Sequence, residues 1–268
     1  MRIGIIGGTG VCDAVSLTDA RDVTVKTPYG DALMKQGKIA GVEVLLVPRH
    51  GEGHTIPPHR VNYRANIWAL WWMGAERVMG TAASGSLNSA MLPGDLVAVD
   101  QFIDFTKCRP ATFFEGSKAG VVHTDMTDPY CAEVRKALID SSESLGLRVH
   151  RSGCYVCTDG PRFETRAEIR AFSVLGGDLV GMTNVPEVVL AREAGMCYGL
   201  LGIVTNFAAG IARRELSHEE VVQVMAETSG RVAEVLCRAA GRLVAAAGCG
   251  CRRNWSRLAE LRGVGAGK

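Results

Sequence analysis

No apolar stretch in these 268 residues reaches the roughly 18 uncharged positions that a membrane-spanning helix needs. Net charge is scarce too: 30 Lys and Arg stand against 28 Asp and Glu, leaving +2. The basic residues are dispersed, apart from modest clusters at Arg213-Arg214 and Arg252-Arg253. That balance gives no electrostatic footprint for nucleic acid or a membrane surface. Met1-Arg2-Ile3-Gly4 runs directly into strand-like residues, without the apolar core and cleavage site of a secretory leader. A soluble cytoplasmic protein is expected. Internal repeats and low-complexity linkers are also missing. The reading is a single domain over residues 1–248 and a basic, glycine-punctuated tail over 249–268, taken as a mobile end. A chain of this length can bury roughly three-quarters of its unfolded surface, enough for one substantial α/β core.

Cysteine is the residue type in excess, at nine. Cys12, Cys108, Cys131, Cys154, Cys157, Cys197 and Cys237 are scattered among mostly apolar neighbours, where a thiol acts as a small hydrophobe. Cys154-Tyr155-Val156-Cys157 has C-x-x-C spacing but lies in a strand-like run, with no second pair to complete a zinc site. Cys249-Gly250-Cys251 looks exposed and open to oxidation, although a cytosolic setting makes reduced thiols the default. No metal site is expected.

Strand-like and helix-like segments alternate, which predicts an α/β fold: a central mixed sheet flanked by helices. Strands are expected at Arg2–Ile6, Val42–Val47, Arg77–Gly80, Leu96–Asp100, Gly153–Thr158, Leu179–Gly181 and Cys197–Thr205. Helices are expected at Val61–Met73, Pro129–Leu145, Arg166–Leu175, Pro186–Glu193 and from about Ser217 to Ala247. Trp68, Trp71 and Trp72 fall on a helical period, as core or subunit-interface residues do.

Polar residues collect where these strands end, which is where α/β sheets bind ligands. Gly4-Ile5-Ile6-Gly7-Gly8-Thr9-Gly10 looks like a dinucleotide fingerprint, but the following residues read as strand-like rather than as the required helix. The glycines still allow close backbone approach to an anion, with Thr9 offering a hydroxyl. Arg49 and His50 supply further donors, Arg as a two-pronged fork. Thr81-Ala82-Ala83-Ser84-Gly85 is read as a loop of exposed backbone amides, and Met182-Thr183 closes a fourth strand. A second group suits a flat, hydrogen-bonding ring. Phe163 can stack on it, the Glu164 carboxylate can accept from N1–H of a 6-oxopurine, and the Asn206 amide can bridge O6 and N7.

Together these motifs resemble the trimeric purine nucleoside phosphorylase and methylthioadenosine phosphorylase family, from Ile3 to about Val224. Arg49-His50-Gly51, Val61-Asn62-Tyr63-Arg64-Ala65-Asn66, Asp100-Gln101-Phe102-Ile103-Asp104 and Val185-Pro186-Glu187-Val188 look closest to the methylthioadenosine branch. Glu164 and Thr205-Asn206-Phe207-Ala208 are similar to the 6-oxopurine branch, and Ser217-His218-Glu219-Glu220-Val221 to the branch whose His bonds a 5′-hydroxyl. Ala82, where the methylthio branch has Thr, and Asn184 depart from the family pattern.

The resemblance implies phosphorolysis of inosine or guanosine to free base and ribose 1-phosphate. Asn206, Glu164 and His50 would be catalytic. Thr9, Arg49, His50, Ala82, Ala83 and Thr183 would hold phosphate, and Phe163, Glu164, Met182, Asn206, His218 and His123 the nucleoside. His123 matches a position that reaches a neighbouring subunit, so a homotrimer or dimer of trimers is implied. No cofactor is expected, inorganic phosphate being the co-substrate. S-Methyl-5′-thioinosine or S-methyl-5′-thioadenosine is the alternative substrate. A dinucleotide oxidoreductase rests on the glycine loop alone, and a nucleoside sensor would not need a complete phosphate pocket.

Overall fold

The computed structural model describes residues 1–8, 10–116, 120–211, 217–244, 248–251 and 255–260, without the side chains of His218, Trp255 and Ser256. Apolar strand runs become the centre of the sheet because both of their faces are covered. β1 (Arg2–Gly7) and β4 (Val42–Pro48) pair in parallel, from Ile3 opposite Val44 to Gly7 opposite Pro48. Their side chains alternate with the pleat. Ile3, Ile5, Val44 and Leu46 enter one core cluster, while Ile6, Leu45 and Val47 enter the other.

β5 (Ala75–Ser86) is the axis of the sheet. One edge runs parallel to β11 (Cys197–Phe207), from Arg77 opposite Cys197 to Ser86 opposite Phe207. The other edge pairs with β1 only as far as Gly80, opposite Ile6. It finds its next partner at Gly85 and Ser86, which lie antiparallel to Val180 and Leu179 of β10 (Leu179–Gly181). Residues 81–84 therefore border a split in the sheet. The hairpin β2 (Thr18–Thr27) and β3 (Gly30–Ile39) extends one side through β4. β9 (Cys154–Cys157) and β7 (Gln101–Asp104) continue from β10, and β6 (Leu96–Ala98) and β8 (Val149–His150) from β11. Among the described residues these eleven strands form one mixed sheet.

Helices cover both faces. α2 (Tyr63–Trp72) and α5 (Asn184–Glu193) build one core with Trp68, Leu70, Trp71, Val188 and Leu190. α3 (Ala132–Ser144) and α6 (His218–Val244) build the other with Val134, Leu138, Val235, Leu236 and Leu243. α4 (Arg166–Val174) sets Ile169 and Phe172 against Val156 and Val180. Trp68 and Trp71 are core residues, and Trp72 is exposed.

The structure corrects four local expectations. A helix does open after the glycine loop, but α1 (Val11–Ala14) lasts one turn before β2 begins, so the long dinucleotide helix is absent. Residues 81–86 are strand rather than loop, because β11 continues alongside them. The β2–β3 hairpin was not expected, since most of its side chains face water and give no apolar run. The described part of the C-terminal tail is anchored: Cys249 and Cys251 pack on the α3/α6 core, and Leu258 of α7 (Trp255–Glu260) is fully buried.

Candidate active site

The split beside residues 81–84 opens into a cavity of about 360 Å³. Gly8, Arg49 and His50 line it just past the ends of β1 and β4, and Gly181, Met182 and Thr183 at the end of β10. Thr205 and Asn206 reach it near the end of β11, and Ala82 to Gly85 form its floor. All four neighbouring strands thus deliver their carboxyl ends to one place, the usual ligand position in an open α/β sheet. An adjoining cavity of about 250 Å³ shares Gly8, Arg49, His50 and His54.

Arg49 is fixed more firmly than its sequence context foretold. Its guanidinium is fully buried and clamped by Glu187 of α5, with Nε donating to one carboxylate oxygen and Nη2 to the other at 2.8 Å. Nη1 donates to the Thr81 carbonyl at 2.7 Å, on the unpaired edge of β5. Tyr198 also donates to Glu187, at 2.8 Å. A guanidinium carries five N–H groups, so one on each Nη is not used by these bonds. Across the split, Gly8 N–H donates to Thr81 Oγ1 at 3.1 Å.

His50 departs from the expected extra donor. Its Nδ1 lies 2.8 Å from the Ile56 carbonyl, which can only accept, so Nδ1 carries the proton. Burial, reinforced by the Arg49 charge, pushes the ring pKa down to about 4. At neutral pH His50 is uncharged, with Nε2 as an acceptor. It therefore suits a phosphate that still carries a P–OH proton.

Of the base-side residues, Phe163 and Glu164 sit on less buried chain than Arg49 does. Thr158 Oγ1 donates to Glu164 at 2.7 Å, orienting the carboxylate. Burial raises the Glu164 pKa, and the Thr158 hydrogen bond opposes that rise. Arg162 and the α4 capping box hold the following residues. Thr165 Oγ1 accepts from Glu168 N–H at 3.1 Å, and Glu168 accepts from Thr165 N–H at 2.7 Å and from Arg162. Gly160, at φ 64°, lies where any Cβ would strike Met182, so the loop can pack against that side chain only with glycine there. Arg109 braces the segment from behind, donating to the Thr158 and Asp159 carbonyls and to that of Val185. The Phe163 ring lines the cavity with 39% of the residue exposed, leaving a face for a flat ligand.

Asn206 is buried, and its amide orientation follows from its neighbours. Nδ2 donates to the Phe207 carbonyl at 3.0 Å, and Oδ1 accepts from Thr205 Oγ1 at 2.7 Å. One N–H remains, so in this arrangement the amide offers one donor to the cavity rather than the two that bridging O6 and N7 would take.

The cavity unites Arg49, His50, Ala82, Ala83, Phe163, Glu164, Met182, Thr183 and Asn206. His123 is exposed and does not line it. Thr9 and the His218 side chain lie outside the described residues. One turn beyond His218, Val221 lines the cavity, as do Pro57 and Pro58. Sequence reasoning assigned no role to Glu187 or Arg109. A carboxylate inside the apolar run of α5 was the available signal for Glu187, since a buried charge needs a partner.

The strand ends offer donors suited to an anion, and they face an aromatic ring, a carboxylate and an amide suited to a flat heterocycle. Comparison with known proteins gives the family. The chain belongs to the phosphorylase superfamily, whose family model matches residues 2–240, and it is an enzyme of that superfamily. It is 54% identical over 251 residues to a probable 6-oxopurine nucleoside phosphorylase of Moorella thermoacetica, covering 94% of this chain and 96% of the relative. It is 47% identical over 252 residues to an S-methyl-5′-thioadenosine phosphorylase of Pyrococcus abyssi, covering 93% and 96%. Its fold matches the methylthioadenosine phosphorylase from Schistosoma mansoni in complex with adenine, with TM-score 0.88, 33% identity and 97% of both chains covered.

Proposed function

We propose that this enzyme cleaves 6-oxopurine nucleosides with phosphate, giving the free base and ribose 1-phosphate. The observation that carries the reading is the pairing of Glu164 with Asn206 in one cavity, an acceptor for N1–H and a donor for N7. The relatives named for 6-oxopurine nucleosides support it. Adenine has no N1–H, so an ionised Glu164 would face a lone pair.

A phosphate oxygen forms the bond to C1′ as the C1′–N9 bond breaks, and that electron pair moves into the purine. The free N–H of Asn206 meets the charge developing at N7. Arg49, His50, Thr183 and the Ala82 and Ala83 backbone hold the nucleophile, with Thr9 read as joining them. Positioning and preset dipoles supply the rate enhancement. Met182 packs the sugar and Phe163 stacks the base, while His218 is assigned to the 5′-hydroxyl. His123 is read as completing a neighbouring subunit's site in a homotrimer or dimer of trimers, in purine salvage in the cytoplasm.

S-Methyl-5′-thioinosine is the second reading, because Val221, Pro57 and Pro58 give the cavity an apolar stretch of wall. Phosphate-dependent base release from inosine, guanosine, S-methyl-5′-thioinosine and S-methyl-5′-thioadenosine, compared by kcat/KM, separates the cases. Preference for inosine or guanosine is expected. Preference for methylthioinosine would overturn the His218 role, and preference for methylthioadenosine would overturn the base reading.

A further inference from the structure

Four of the nine cysteines, far apart in sequence, meet at the other end of the sheet. Cys131 caps the N-terminus of α3, Cys197 begins β11, and Cys249 and Cys251 follow α6. Their sulfurs all lie within 4.8 Å of one another. Cys249 Sγ is 3.1 Å from Cys197 Sγ and 3.7 Å from Cys131 Sγ. Tetrahedral zinc with Zn–S bonds of about 2.3 Å needs sulfurs about 3.8 Å apart, so shifts of a few tenths to about one ångström would close the shell. We propose that Cys131, Cys197, Cys249 and Cys251 form a tetrathiolate site for a soft divalent metal ion, Zn²⁺ in the first instance.

The surroundings favour charge at these sulfurs. Arg192 Nη1 donates to Cys251 Sγ at 3.1 Å, and no carboxylate among the described residues lies within ion-pair distance of Arg192. A tetrathiolate carries two net negative charges with the metal bound, so the guanidinium offsets one of them. Cys131 sits where the first amides of a 13-residue helix point outward, a position that stabilises a thiolate. Binding releases four protons, one from each thiol, and involves no change of oxidation state. Two disulfides among the same four cysteines are the plainest alternative, and a thiol count separates them from a metal site. The one-residue spacer Gly250 is shorter than the usual two to four, but both flanking sulfurs still belong to the cluster.

Four soft sulfur donors and no open position make this a structural site. Nine residue steps along β11 take Cys197 to Asn206, about 30 Å of strand, so the metal takes no part in the reaction. Its role is to tie the segment after α6 to α3 and β11.

The test is metal content of the full-length chain, purified without chelator, together with Co²⁺ uptake by the reduced, metal-free protein. About one metal per chain is expected, with the intense charge-transfer and d–d bands of tetrahedral tetrathiolate cobalt. The double variant Cys249→Ser/Cys251→Ser should lose both while keeping kcat/KM on inosine within about twofold. Metal retained by that variant would overturn the assignment. So would nine titratable thiols with no metal uptake. Only five titratable thiols in the denatured, unreduced chain would mean two disulfides instead, and would also overturn it.

Discussion

The two halves of the cavity are built differently. On the phosphate side Arg49 is fully buried and clamped by Glu187 and the Thr81 carbonyl, just past the parallel pair β1 and β4. On the base side Phe163 is 39% exposed and Glu164 stands on a loop, held by Thr158 and a helix cap. Phosphate is common to every substrate such an enzyme accepts, while the base is what distinguishes them. On the proposed reading the invariant partner is met by the rigid frame, whereas the discriminating one is met jointly by a loop and by Asn206, buried on β11.

The largest effect should come from removing the clamp. Glu187→Ala leaves a buried guanidinium unpaired and should cost about 3–5 kcal/mol, read from the denaturation midpoint. It should raise the KM for phosphate equally for all nucleosides. Stability near that of the parent would show that the ion pair does not anchor this half. Asn206→Ala comes next, with kcat on inosine falling about 10²–10³-fold and KM for phosphate little altered. Near-normal turnover would remove Asn206 from the chemistry.

The pH profile sharpens the contrast between the halves. Burial raises the Glu164 pKa, so on acidification the carboxylate takes up a proton earlier than an ordinary glutamate would. A protonated Glu164 no longer accepts from N1–H, and kcat/KM for inosine should decline through that raised pKa. Phosphate ionisation affects the profile as well, so the diagnostic result is loss of this limb alone in Glu164→Gln. His50 should contribute no limb near neutrality, since its pKa is depressed to about 4. The smallest effect should come from Thr165→Ala, which removes the capping box of α4 for about 1 kcal/mol. It should disturb kcat/KM for the base while leaving the phosphate KM unchanged.

Much of this was legible in the sequence, for a physical reason. Apolar runs such as Val42–Val47 can be satisfied only between two helical layers, and polar residues at their ends then face one another. Nine of the proposed site residues accordingly line one cavity. What escaped the sequence depends on the third dimension. Glu187 lies 138 residues from Arg49, and no local pattern announces which buried charge pairs with which. The hydrogen-bond direction at His50 is set by the Ile56 carbonyl, which any residue type at position 56 would provide. Strand continuation through Thr81–Ser86 depends on β11 lying alongside, against a small-residue composition that locally favours a turn. The sulfurs of Cys131, Cys197, Cys249 and Cys251 meet only once α3, β11 and the segment after α6 are in place.

The split along β5 has a consequence for how the family can diversify. Ala82, Ala83, Ser84 and Gly85 line the cavity with small side chains or none, so much of what they offer is main chain, the component that a point mutation does not delete. Ala82 shows this directly: a side chain with no polar atom sits at the floor, yet the peptide beneath it keeps its donors and acceptors. Residues elsewhere around the cavity can then change while this stretch of main chain stays in place.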